Sequence, residues 1–183
     1  MPDERNVNME TALQDNVLAR EQNARITLAK GTLWGLLGGL AGTLTIDLIL
    51  MGVLSLAGLP AFTCFVIVGD TVARLFSLLG TEITGGVPLG VLTHYLIGPL
   101  IGAIFGAAVA SLPALRVSTL KKCVILAVLY VEVASQPLLA MSVFLLEMKS
   151  LLILEWYGGA LVMHFILAII LGVMVSRGLR LGF

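Results

Sequence analysis

The chain has 183 residues, of which 58% are apolar and only 12% charged, and its formal net charge is zero. A soluble domain carries about a quarter charged residues, so this composition points away from an ordinary water-soluble enzyme and toward an integral membrane protein. Without an excess of basic charge, or a basic patch interleaved with aromatics, nucleic acid is not an expected partner; the expected surroundings are a lipid bilayer.

Residues 1–30 are polar, carrying Asp3, Glu4, Arg5, Glu10, Asp15, Arg20, Glu21, Arg25 and Lys30. Met9, Leu13, Val17, Leu18 and Leu28 form a weak helical stripe, which fits a helix from about 9 to 28 lying on the cytoplasmic surface; a solvated tail fits as well. This N-terminal segment is expected to stand apart from one transmembrane domain over 31–183. No apolar stretch follows a short basic start here, so a cleavable signal is not expected, and the first span would serve as the insertion signal.

Four apolar stretches follow, at 31–58, 87–112, 120–146 and 151–176. Each is near or above the roughly 20 residues that cross a bilayer, which predicts an all-α polytopic fold. The segment 59–86 opens with Leu59-Pro60 and closes with Gly85-Gly86-Val87-Pro88, both turn signals. Its middle, about 63–79, is apolar except for Asp70 and Arg74, whose i,i+4 spacing lets them pair on one helix face. That length and charge fit an interfacial or re-entrant helix, with a fifth span as the alternative. Four spans put Arg5, Arg20, Arg25, Lys30, Arg116, Lys121, Lys122, Arg177 and Arg180 on one side, and leave only Arg74 and Lys149 on the other. By the positive-inside bias, both termini are then cytoplasmic in a plasma (inner) membrane. The short Glu147-Met148-Lys149-Ser150 connection makes the last two spans a helical hairpin. Trp156 and Tyr157 suit the membrane–water boundary. Cys64 and Cys123 fall near opposite faces, too far apart to bridge, and read as small apolar residues.

The two histidines of the chain both lie inside apolar stretches. An ionisable group there costs several kcal/mol unless it is paired. Val91-Leu92-Thr93-His94-Tyr95-Leu96-Ile97-Gly98 aligns with Leu161-Val162-Met163-His164-Phe165-Ile166-Leu167-Ala168, and Gly102 aligns with Gly172. More loosely, Gly42 to Asp47 aligns with Ala127 to Glu132. Each half would be a hairpin with an acid on its first helix and a histidine on its second, the two related as parallel repeats. At about 1.5 Å per residue, Asp47 lies about 24 Å into its helix, His94 roughly 10 Å into its own and His164 roughly 12 Å beyond Trp156, where the fourth span meets the boundary, so these three share a layer, with Glu132 nearer the middle.

Residues four apart share a helix ridge. Gly31, Gly35, Gly39, Thr43 and Asp47 form one; His94, Gly98, Gly102, Gly106 and Ala110 another; His164, Ala168, Gly172 and Ser176 a third. Small residues at this spacing let helix backbones approach closely, as in GxxxG contacts. Glu132, Ser135 and Gln136 cluster on the third span ahead of Pro137, which frees a backbone carbonyl.

Three roles fit a layer of Asp47, His94, Glu132 and His164. It could fix helix register through interhelical hydrogen bonds, each worth about 0.6 kcal/mol. It could carry a proton, ion or small solute, since carboxylates with histidines are typical of intramembrane relays and imidazole titrates near neutrality. It could hold a b-type haem or a transition metal on His94 and His164, although no cofactor is the simpler expectation. GxSxG, HExxH, P-loop and GxGxxG patterns are all missing, so an enzyme is not expected. The many small residues and the segment 59–86 suggest a homo-oligomer or a subunit of a larger membrane complex.

The run Gly38-Gly39-Leu40-Ala41-Gly42-Thr43, the Asp later in that helix, the His-Tyr-Leu-Ile-Gly block and the second His block resemble small four-span prokaryotic membrane proteins of unknown function. The resemblance covers most of 31–176. It implies a four-helix polytopic fold and carries over no activity and no site residue.

Overall fold

In the computed structural model, residues 4–115 and 119–180 are described; Arg116, counted above among the basic residues of one side, lies outside them. All regular structure among the described residues is helical: α1 (Glu4–Leu56), α2 (Thr63–Leu78), α3 (Val87–Ser111), a 3₁₀ turn at Pro113–Leu115, α4 (Leu120–Leu145) and α5 (Ser150–Arg180). Residues 21–56 of α1, together with α3, α4 and α5, are long and apolar enough to cross a membrane. The 16 residues of α2 span about 24 Å, short of the ~30 Å hydrocarbon core.

Local signals set these boundaries. At the end of α1, Gly58 takes φ +72°, the Leu59 N–H donates to Leu54 O and the Gly58 N–H to Ser55 O. This is a Schellman closure, followed by Pro60, which cannot continue a helix. α2 closes the same way around Gly80, with Thr81 N–H donating to Phe76 O. The Thr119 hydroxyl accepts from Lys122 N–H and caps α4. α1 runs unbroken from the polar N-terminal residues into the first span.

Glycines set the neighbours. A Cβ at Gly31, Gly35 or Gly39 of α1 would strike the main-chain carbonyl of Gly106, Gly102 or Gly98 of α3, so α1 and α3 lie antiparallel with backbones in contact. On another face of α1, Gly38 and Gly42 meet Leu171 and Leu167 of α5, and Trp34 covers Gly178. Gly172 of α5 lies on Cys123 and Val124 of α4. The row is therefore α3–α1–α5–α4, with α1 and α4 running one way and α3 and α5 the other. α2 packs on both α3 and α4 and closes the ring at one end. There Gly90 and Gly69 allow the α2 and α3 backbones to touch, and Thr71 Oγ1 sits 3.0 Å from Ser142 Oγ of α4. At the other end α3 and α4 meet directly: the Tyr130 hydroxyl donates to Ile101 O at 3.1 Å and its ring lies 5.4 Å from that of Phe105.

The outer faces of the spans are lined with exposed leucine, isoleucine and valine, such as Leu33, Leu44 and Leu48 on α1 and Leu92, Leu96 and Leu100 on α3. A soluble protein would bury them; in hydrocarbon they are the solvated surface.

Candidate functional site: a paired histidine and an unpaired one around one cavity

Asp47 is carried by the ridge of α1 that packs on α3, one turn beyond Thr43, and is only 4% exposed. His94 stands opposite on α3, and its Nδ1 lies 3.1 Å from Asp47 Oδ1. The pair ends the glycine seam: beyond Gly98, where a Cβ would strike the Thr43 hydroxyl, the helices can separate enough to admit a carboxylate and an imidazole. The other ring nitrogen of His94, Nε2, is 3.9 Å from Cys64 Sγ on α2. Phe65 meets the imidazole edge-on at 5.3 Å. Three helices therefore hold this ring from separate sides.

Behind the pair, a cavity of about 510 Å³ is bounded by all five α-helices. His94 and His164 both line it, as do Asp47 and Thr43 from α1, Cys64 and Thr71 from α2, and Ser135 and Ser142 from α4. Three buried polar atoms of lining residues have no hydrogen-bond partner: Thr43 Oγ1, Asp47 Oδ2 and His164 Nδ1. Unpaired buried polar atoms are rare enough to call for an explanation.

The structure brings Asp47, His94 and His164 to one cavity and leaves Glu132 out of its lining. Val131 and Ser135 occupy the cavity face of α4; one residue further along, the helix has turned about 100°. Glu132 Oε1 has no partner either, so no hydrogen bond joins it to His164 Nδ1. The neighbouring Ser135 hydroxyl and Gln136 amide donate to the main-chain carbonyl of Glu132, not to its carboxylate. The glycines singled out in the sequence are placed at helix contacts: Gly35, Gly39, Gly98, Gly102 and Gly106 between α1 and α3, and Gly172 between α5 and α4.

Several contacts could not be read from spacing. Asp70 does not pair with Arg74 among the described residues; its Oδ1 accepts from Gly86 N–H at 2.8 Å and ties α2 to the start of α3. Cys64, read as a small apolar filler, is the α2 contact of His94. Trp156 lines the cavity and its Nε1–H donates to Leu139 O at 3.4 Å, so it is turned into the bundle. Only the separation of the two cysteines follows from sequence, and both are free. Among the described residues, no three His, Cys, Asp or Glu side chains converge as metal ligands. A haem iron or metal taking His94 would have to use Nε2, the nitrogen that faces Cys64.

Fold and site together define a class: a small multi-pass helical bundle with an Asp–His pair in the wall of an internal cavity. No protein-family model matches the chain, and neither a curated protein nor a solved structure does.

Proposed function

We propose that this is a transporter-like protein, or the accessory subunit of a membrane complex, that handles protons or small ions at the Asp47–His94 pair. The single observation carrying this reading is that pair, 3.1 Å apart, in the wall of a cavity bounded by four helices of membrane-spanning length together with α2. A carboxylate beside an imidazole can share or pass a proton between Asp47 Oδ1 and His94 Nδ1, and intramembrane pairs of this kind mark proton and ion pathways. His164 faces the same cavity, which gives the proton a second stopping place on the parallel helix. The setting of this reading is the plasma membrane, with both termini cytoplasmic, α2 at the outer side and α1–α3 and α4–α5 as repeat-related hairpins. Association with itself or with a larger complex would supply the extra room that four spans lack.

A second reading is favoured by the position of the pair at the end of the α1–α3 glycine seam. There it would fix helix register and do nothing more. Flux through liposomes separates the two. Wild-type protein is expected to show pH-dependent proton or cation flux, His94→Ala to lose most of it, and His164→Ala to lose part. Equal flux in all three folded proteins would overturn the proposal and leave the register role.

A further inference from the structure

Cys64, His94 and Asp47 stand in file. Cys64 Sγ lies 3.9 Å from His94 Nε2, and His94 Nδ1 lies 3.1 Å from Asp47 Oδ1. A carboxylate oxygen only accepts, so Nδ1 carries its proton toward Asp47 and Nε2 is the nitrogen turned to the thiol. Phe65, next to Cys64 in the chain, meets the imidazole edge-on at 5.3 Å. A nucleophile within reach of a base, with a third group orienting that base, is the arrangement of covalent acyl-transfer sites. Such contacts are often loose until a substrate binds, and 3.9 Å to a sulfur atom fits that state. No sequence motif marks the set, because its members come from α2, α3 and α1.

The start of α2 adds to the arrangement. Cys64 is the second residue of this helix, in the turn whose N–H groups have no intrahelical acceptor. Thr63 N–H donates to Pro60 O and Val66 N–H to Phe62 O. The Cys64 and Phe65 amides lie between these two, at the helix end that favours negative charge. Amides so placed beside a nucleophile suit an oxyanion developing there.

The space beside the thiol is apolar. Cys64 is half-buried and, with His94, lines the cavity of about 510 Å³, a volume in the range of small-molecule sites. Ile46, Leu50, Ile67 and Leu167 supply apolar wall on three helices. The exposed lining residues Leu59, Pro60, Leu152, Glu155 and Gly159 mark a mouth at the end that carries α2. Gly42 seals α1 against Leu167 of α5, but beyond it a Cβ at Gly52 or Gly159 would meet nothing within 4 Å. The two helices part there, and apart from Glu155 the rim is apolar. Such a mouth suits a hydrocarbon chain.

We infer that Cys64 is a nucleophile, with His94 as its base, that takes a long-chain acyl group from a thioester while the chain lies in the cavity. The Cys64 thiol gives its proton to His94 Nε2 as Sγ bonds to the acyl carbon. The bond from that carbon to the donor's sulfur then breaks, and the departing thiolate takes the proton from Nε2. The products are S-acylated Cys64 and a free thiol. One thioester replaces another, so no further reactant is needed. The inference rests on the Asp47–His94 pair and the membrane placement proposed above, and not on proton handling.

The test uses full-length protein in liposomes and the tetradecanoyl thioester of N-acetylcysteamine with an alkyne at the chain end. The adduct is mapped by mass spectrometry and its rate of formation followed. Wild-type protein is expected to carry a hydroxylamine-sensitive adduct on Cys64. The rate should fall about a hundredfold in His94→Gln, the lower end of what a placed general base contributes. It should fall severalfold in Gly159→Trp, which adds bulk at the mouth. A wild-type protein with no adduct on Cys64 would overturn the inference whether or not the variants fold. So would an undiminished rate in folded His94→Gln or in folded Gly159→Trp. Flux without an adduct defeats this inference alone; an adduct without flux defeats the proton reading alone.

Discussion

The α1–α3 and α4–α5 pairs each carry a histidine eight residues before a glycine, yet they are built differently. In the first, three glycines on each helix bring the backbones into contact, and the seam ends in a carboxylate–imidazole pair. In the second, Gly172 makes the one glycine contact among the described residues, and the histidine Nδ1 has no partner. The difference lies in the angular position of the acid. Asp47 continues the packing ridge of α1, four residues beyond Thr43, whereas Glu132 is one residue off the cavity face of α4. A shift of about 100° turns a partnered histidine into a free one. One half is thereby paired, and the other keeps a buried polar atom without a partner.

Substitutions can break this contrast, and the largest effect belongs to the seam. Gly35→Val would force a branched side chain onto the Gly102 carbonyl, which has no rotamer to give. The expected loss is about 3 kcal/mol or more, the upper end of overpacking costs, read as a large drop in melting temperature or no folded protein in detergent. Gly172→Ala also meets backbone, at Val124 Cα, but with one methyl, and should cost about 1–2 kcal/mol. If it costs as much as Gly35→Val, the two seams are equivalent after all.

The acids come next. Asp47→Ala leaves His94 Nδ1 buried without its partner and should destabilise by about 1–3 kcal/mol. Glu132→Ala removes a carboxylate whose Oε1 has no partner and should stay within about 0.5 kcal/mol of wild type. Chemical denaturation in one detergent measures both, and matching losses would mean that Glu132 has a partner as important as His94. The smallest effect is expected at the mouth. Gly159→Ala adds a methyl where nothing lies within 4 Å and relieves a helix of glycine, so stability should rise by up to about 1 kcal/mol. A loss there would mean that α1 and α5 close the gap.

Much of this was legible from residues alone. The spans at 31–58, 87–112, 120–146 and 151–176 coincide within a few residues with helices of membrane-spanning length, the first and last extended at their polar ends. Apolar runs bounded by Gly, Pro and charge leave little choice once the backbone must satisfy itself in hydrocarbon. Asp47 and His94 were each visible as ionisable residues on small-residue ridges. Their distance was not, because it depends on how two ridges mesh. The role of Cys64 was hidden for another reason: it sits 30 residues from His94 on a helix whose docking no periodicity specifies. The cavity also left no mark in sequence. It lies where Gly38 and Gly42 of α1, which meet α5 closely, give way on that ridge to Ile46 and Leu50, both of which line it.

The most direct test of the Asp47–His94 pair as the working centre is proton flux in liposomes for two charge-removing, nearly isosteric variants, Asp47→Asn and Glu132→Gln, with both proteins shown to fold. Flux is expected to fall close to that of empty liposomes in Asp47→Asn and to stay near wild type in Glu132→Gln. Undiminished flux in Asp47→Asn, or an equal loss in the two variants, would contradict the assignment of proton handling to this pair.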